Sequence, residues 1–261
     1  MSIVLFKIGE FTIYTHGVIT ALAALLALGM AHYLAANTPF REHVLNMVPY
    51  LFVGAILFAR IWHVFFFQWG YYSKHLSEIV AIWNGGISVQ GSLIGGFLAM
   101  LYYTRKHHIS FWKLADLLAP AIVLGQSIGR IACFMNGDAF GSPTGLGFGM
   151  VYREGTGAYE AYGSQPLWPA ELFESQWDLI VFTLLMLVRR RKWTAGLLFL
   201  AYNILYSFGR FNLEWLRGDS PRYAFHWTAG QWTSFCVIVA SLGMMAFLYL
   251  LDRTKAKEGL H

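Results

Sequence analysis

Arginine, asparagine and aspartate close a long apolar run at Gly129-Arg130-Ile131-Ala132-Cys133-Phe134-Met135-Asn136-Gly137-Asp138-Ala139-Phe140-Gly141. Inside a membrane, charge survives by pairing or by lining a wet cavity, so the default reading is a functional site. The bland alternative is an arginine that snorkels to the interface. A second set follows at Arg210, Glu214 and Arg217, whose i, i+4 and i+7 spacing stacks them on one helix face. That stripe reads either as a salt-bridged ladder between helices or as an anion receptor. Two guanidiniums to one carboxylate leave positive charge uncompensated, and Arg130 adds to it. A planar guanidinium suits phosphate because it donates to two oxygens at once. Glu174, one turn into the segment that begins Pro169-Ala170-Glu171, is a candidate to neutralise an arginine. Glu171 itself reads as a first-turn acid complementing the helix dipole.

Weaker signals surround these. Ser88, Gln90 and Ser92 alternate through a glycine-rich opening, Gly85-Gly86 to Gly95-Gly96, which fits either tight helix packing or a substrate-facing turn. His16 reads as a base, a headgroup ligand or an interface residue. Arg60 and His63 are expected to pair with an acid such as Asp116 or Glu174. Cys133 and Cys236 lack Cys-x-x-Cys spacing and read as two reduced, buried thiols without a disulfide or metal framework. No Ser-His-Asp signature, zinc-binding His-Glu-x-x-His or phosphate-binding glycine loop is present. The pattern implies no metal, redox or nucleotide cofactor and no nucleic-acid partner.

The elements that must position these residues are membrane helices. The 261 residues are 57% hydrophobic and 13% charged, far below the roughly 25% charged of soluble domains. The expected fold is all-α, a polytopic membrane protein forming one integral membrane domain over 1–261. Spans need about 20 mostly apolar residues, and seven windows qualify, near 16–36, 44–67, 86–104, 112–135, 168–188, 195–216 and 229–251. Lysine and arginine in short connectors set orientation. Arg105, Lys106 and Lys113, then Arg189, Arg190, Arg191 and Lys192, then Arg253, Lys255 and Lys257 fall on one side of a seven-span chain. The opposite connectors, 68–85, 136–167 and 217–228, hold only Lys74, Arg153, Arg217 and Arg222. The N-terminus therefore faces out and the C-terminus in, and both arginine sites share an outer depth. The first apolar run is too long for a signal peptide and should remain as a span. The longest connector, 136–167, reads as a folded outer cap or lid between spans four and five. Trp69, Tyr71, Tyr72, Trp168 and Trp227 are placed to form an aromatic belt.

Taken together, these residues resemble the bacterial prolipoprotein diacylglyceryl transferases over nearly the whole chain. The stretch Gly129 to Asp138, followed by Gly141, is similar to the family's Gly-Arg-x-Gly-Asn-Phe-x-Asn-Gly-Glu signature. Gly85-Gly86 through Gly96, Pro169 to Glu174, and Arg210-x-x-x-Glu214-x-x-Arg217 support it. The resemblance implies transfer of a diacylglyceryl group from phosphatidylglycerol to the lipobox cysteine of a prolipoprotein signal peptide, within the bilayer of the bacterial inner membrane. It implies Arg130 and Arg210 at the phosphate and the leaving group. Asn136, Asp138, Gly141, Glu174, Glu214 and Arg217 would complete the substrate site. Gln90, Cys133 and His16 stand where the family usually has histidine, asparagine and tyrosine, and Asp138 where it has glutamate. Glutamine cannot take a proton as a base at neutral pH, so deprotonation falls to His16, the leaving phosphate or water. A relative acting on another acceptor, and a lipid or organic-anion transporter, are the competing readings. The clustering of polar groups toward one face disfavours the transporter.

Overall fold

The computed structural model describes residues 4–8, 11–191 and 193–257; Lys192, one of the expected orienting cations, lies outside them. Two short strands, β1 (Val4–Ile8) and β2 (Phe11–Tyr14), pair antiparallel at the start. They are an addition to the expected all-α fold, made by β-branched and aromatic residues that favour pleated backbone. Helices follow: α1 (Thr15–Ala35), α2 (Arg41–Asn46), α3 (Val48–Trp62), α4 (Trp69–Tyr72), α5 (Val89–Lys106), α6 (Phe111–Asn136), α7 (Gly157–Tyr162), α8 (Ala170–Val188), α9 (Leu197–Leu213) and α10 (Ala229–Lys257). Each of the seven expected windows holds one long helix. Among the described residues four helices, Thr15–Ala35, Arg41–Phe67, Phe111–Asn136 and Ala229–Thr254, are long and apolar enough to cross a membrane by length and composition. The polytopic helical architecture is thus the observed one. Helices α5, α8 and α9 have 18, 19 and 17 residues, which is at the short end of what spans hydrocarbon.

The chain forms two compact units. In the unit of His32–Leu114, α3 and α5 lie backbone to backbone: a Cβ on Gly54 would come within 2.7 Å of the Gly95 carbonyl oxygen and one on Gly91 would overlap Phe58. The Gly91-x-x-x-Gly95 spacing therefore serves close helix approach. Among the described residues Arg60 enters no ion pair, against the expectation of an acid partner. It donates instead to the carbonyls of Glu78, Ile79, Gly85 and Gly86 at 2.6–2.9 Å, holding the irregular 76–86 backbone. The Glu78 carbonyl already accepts from the Ala81 N–H at 3.1 Å, and a buried guanidinium with five donors adds a bond there while satisfying the neighbouring carbonyls at once. Tyr72, expected in the belt, is buried under Arg60 with its ring 5.0 Å from the guanidinium carbon.

The other unit, residues up to Ala31 and from Ala115 on, carries the signature. Its core is a three-helix seam of Ala119 and Val123 from α6, Val181 and Leu185 from α8, and Leu198 and Tyr202 from α9. Polar groups fix the register of that seam. Ser127 and Ser175 each donate to the other's carbonyl, at 2.9 and 2.8 Å, joining α6 to α8. Tyr202 donates to Gln126 at 2.9 Å. Asp116 accepts from the backbone of Gly196 and Phe199 at the start of α9, so it caps a helix rather than pairing with Arg60. Segment 136–167 has its own small core of Phe140, Tyr152, Ala158 and Leu167.

Candidate active site

Helix α6 ends where the signature turns polar. Gly137, at φ 71°, caps it: its N–H donates to the Cys133 carbonyl at 2.9 Å and the Asp138 N–H to the same oxygen at 3.3 Å. A left-handed residue just past the last turn is what such a cap requires. The cap turns Asp138 back so that its Oδ2 accepts from Asn136 Nδ2 at 3.0 Å. Arg130 lies farther back along the same helix.

Three arginines converge on one carboxylate. Glu174, buried at 4% exposure in the second turn of α8, faces Arg130 Nε at 2.8 Å, Arg210 Nη1 in a short hydrogen bond, and Arg217 Nη1 at 3.4 Å. Arg210 also pairs through Nη2 with Glu214 at 2.9 Å, and Arg217 holds Asp219 through Nε and Nη2 at 2.7 and 2.5 Å. Gly209 lets this happen, because a Cβ there would overlap the Trp177 indole that packs α8 on α9. Trp177 Nε1 also donates to the Leu205 carbonyl at 2.9 Å. Arg130, Glu174, Trp177, Asp178, Tyr206 and Arg210 line a narrow cleft.

The i+7 expectation is corrected in form. Helix α9 stops at Leu213, Glu214–Leu216 is a single 3₁₀ turn, and Arg217 is extended. It reaches Glu174 because its backbone bridges to Gly141. Gly141 is itself a packing position, where a Cβ would overlap the Trp168 backbone. Burial works against the Arg217 charge, but the Asp219 hydrogen bond and the Glu174 charge outweigh it and hold the guanidinium above its ordinary pKa. Nor is positive charge in excess. Glu174, Glu214 and Asp219 match the three guanidiniums one for one, and Asp178 adds a buried acid at the cleft. The carboxylate contacts run through Arg130 Nε and through Arg210 Nη1 and Nη2, so carboxylates from α8 and from the turn after α9 hold these guanidiniums in place.

Segment 136–167 is tied to this centre at two points. Tyr152 donates to both carboxylate oxygens of the fully buried Glu171 at 2.9 Å, and Tyr162 to the Gly218 carbonyl at 3.1 Å. Burial and the neighbouring Glu171 charge push the Tyr152 phenol well above its ordinary pKa. Glu171 is thus more than a first-turn acid. Glu214, 1% exposed, accepts from Thr228 at 3.0 Å; Thr228 also caps α10, accepting from the Gln231 N–H while Gln231 Oε1 accepts from the Thr228 N–H.

His16, Cys133 and Asp138 come together, their potential ligand atoms all within 4.8 Å of one another. Gln90 belongs to the other unit, exposed at the start of α5, and accepts from Ser88 at 2.7 Å. Cys133 is half-buried and Cys236 exposed on α10, so the expectation of two buried thiols fails for Cys236, which sits on an outward face of an apolar helix.

A family model described as prolipoprotein diacylglyceryl transferase matches residues 3–247. The chain belongs to this family. It is 36% identical over 253 residues to a phosphatidylglycerol–prolipoprotein diacylglyceryl transferase of Acaryochloris marina, covering 96% of this chain and 92% of the relative. It is 37% identical over 257 residues to one from Nostoc sp., covering 96% and 90%. It is 39% identical over 255 residues to one from Geobacillus kaustophilus, covering 97% and 93%. In this member of the transferase family, Asp178, Asp219 and the Tyr152–Glu171 contact are site features that the sequence reading left out. Asp178 had a signal, since Glu171, Glu174 and Asp178 follow one another at i, i+3 and i+7 on one face of α8. Asp219 had none, because its contact depends on a turn rather than on a helical period.

Proposed function

We propose that the chain transfers the diacylglyceryl group of phosphatidylglycerol to the lipobox cysteine thiol of prolipoproteins, forming a thioether and releasing glycerol phosphate. The observation that carries this reading is the convergence of Arg130, Arg210 and Arg217 on Glu174 at one end of α6, α8 and α9. The acceptor must react as thiolate. As it attacks the glyceryl carbon, the C–O bond breaks and the phosphate goes from one negative charge to two. Guanidiniums already oriented by carboxylates meet that extra charge without reorganising, which is the arrangement that lowers a barrier. Arg130 and Arg210 hold the headgroup phosphate and the leaving group. Asn136 and Asp138 orient the headgroup, Glu174 and Glu214 the arginines, and Gly141 and Arg217 the cap strand beside them. Gln90 supplies no base, and the proton of the acceptor thiol goes to His16, the leaving phosphate or water.

The site faces the outer side of the inner membrane, with the N-terminus out and the C-terminus in. The lysine and arginine distribution of the connectors supports that orientation. Segment 136–167 covers the site as its cap. The test mixes purified protein, phosphatidylglycerol and a lipobox peptide, and looks by mass spectrometry for the diacylglyceryl mass on cysteine. Arg130→Ala or Arg210→Ala should lower kcat about 10²- to 10³-fold, the cost of one transition-state donor. Full turnover in either variant would place the donor pocket elsewhere.

A further inference from the structure

We propose that His16, Cys133 and Asp138 bind one zinc ion, whose remaining coordination position receives the acceptor thiol. The residues come from the first turn of α1, the last turn of α6 and the cap that follows it, and their ligand atoms lie within 4.8 Å of one another. Zinc bonds nitrogen, oxygen and sulfur at about 2.0–2.3 Å, which puts tetrahedral ligands roughly 3.3–3.8 Å apart. A closure of about 1 Å, within the reach of side-chain rotation, completes that geometry. Three protein ligands with one open position is the arrangement of catalytic rather than structural zinc.

Independent observations point to a ligand here. His16 Nδ1 and Asp138 Oδ1 are both buried and, among the described residues, hydrogen-bond to nothing. A buried polar atom left without a partner is destabilising, and a shared cation would satisfy the two together. The other carboxylate oxygen, Asp138 Oδ2, is held by Asn136 at 3.0 Å, which leaves Oδ1 aimed away from that contact. An outer hydrogen bond of this kind is the usual way a ligating carboxylate is oriented. The donor set of imidazole, thiolate and carboxylate excludes magnesium and calcium, which take oxygen, and fits zinc. Cys133 also follows Arg130 by three positions on α6, so the metal would stand one turn from the phosphate-binding guanidinium.

The role at the acceptor rests on the transferase reading. The bound acceptor loses its S–H proton to water, a coordinating thiol being deprotonated outright. Its sulfur then forms the C–S bond as the glyceryl C–O bond breaks, and that electron pair leaves on glycerol phosphate. No base is needed from Gln90.

The experiment uses the full chain in detergent, stripped with a chelator and titrated with Co²⁺ in the absence of lipid and peptide. One Co²⁺ per chain should bind with sulfur-to-cobalt charge-transfer absorption and tetrahedral visible bands, and Zn²⁺ should displace it. Cys133→Ser should abolish the charge-transfer band. Asn136→Ala should weaken binding about 10- to 100-fold. A folded, unsubstituted protein without that band overturns the site, as does an unchanged band in Cys133→Ser. Because this titration contains no substrate, its result stands apart from the transferase reading. Transfer is then compared in stripped and zinc-restored protein. Loss and recovery supports the acceptor role, and full transfer after stripping overturns that role alone. No transfer in either, beside a positive cobalt spectrum, refutes the transferase reading and leaves the metal site standing.

Discussion

Replacing Glu174 by glutamine isolates what the shared carboxylate does. Glutamine keeps the volume and one oxygen acceptor but removes the charge from a residue only 4% exposed and faced by three guanidiniums. Each pair is worth about 4 kcal/mol at close range and an effective dielectric of 20, so a simple sum suggests more than 10 kcal/mol. The structure argues for far less. Arg210 retains Glu214 at 2.9 Å and Arg217 retains Asp219 at 2.5 Å, while Arg130 alone loses its ion pair. Desolvation of Glu174 is also relieved. The net cost is that of one broken buried pair, about 3–5 kcal/mol, which for a chain of this size lowers the melting temperature by about 10 °C. Glu214→Gln leaves Arg210 on Glu174 and should cost only about 1.5–3 kcal/mol, the worth of a hydrogen bond to a charged group. Thermal unfolding in one detergent, followed by circular dichroism, measures both. Adding Arg130→Met to Glu174→Gln should recover part of the loss, because the orphaned charge goes with it. An unchanged melting temperature in Glu174→Gln, or a greater loss in Glu214→Gln than in Glu174→Gln, would refute the claim that Glu174 is the hub.

Other substitutions probe how the hub is held. Tyr152→Phe leaves Glu171 buried without its hydroxyl donor, so it should cost about 1–3 kcal/mol and make segment 136–167 more open to limited proteolysis; unchanged cleavage would disprove the tether. Gly209→Ala drives a methyl group into Trp177 and should cost about 1–3 kcal/mol or more through overpacking. Because Gly209 adjoins Arg210, it should also lower turnover out of proportion to stability, as seen by comparing kcat with melting temperature.

The helices were legible in the sequence because a membrane demands long apolar runs, and seven runs produced seven long helices. The close approach of α3 and α5 was one of two open readings of the glycine-rich opening, and the overlap at Gly91 and Gly95 decides it for that part. Arg60 was misjudged for a physical reason. Pairing it with an acid assumed that a buried cation needs an anion, whereas irregular backbone at 76–86 turns several carbonyls toward the guanidinium. The β strands escaped notice because four or five residues are too short to show a period against an apolar background.

The charge balance of the site was misread by the same kind of reasoning. Counting Arg210, Arg217 and Arg130 against Glu214 considered one helix period at a time, and so predicted surplus positive charge. Glu174, expected to neutralise one arginine, reaches all three from another helix, and Asp219 reaches Arg217 across a turn that no helical period shows. The consequence bears on mechanism. A site with bare excess charge would bind the diester ground state and the departing monoester alike, a uniform gain that does not speed the chemical step. Under the proposed function, a neutralised cluster would hold a singly charged headgroup less tightly, and its oriented guanidiniums would gain most as the second negative charge develops. Removing Asp178, the extra acid lining the cleft, by Asp178→Asn should therefore lower KM for the anionic donor more than it raises kcat. Steady-state kinetics over donor lipid concentration reads the two apart, and a change confined to kcat would show that Asp178 acts on the reacting atoms instead.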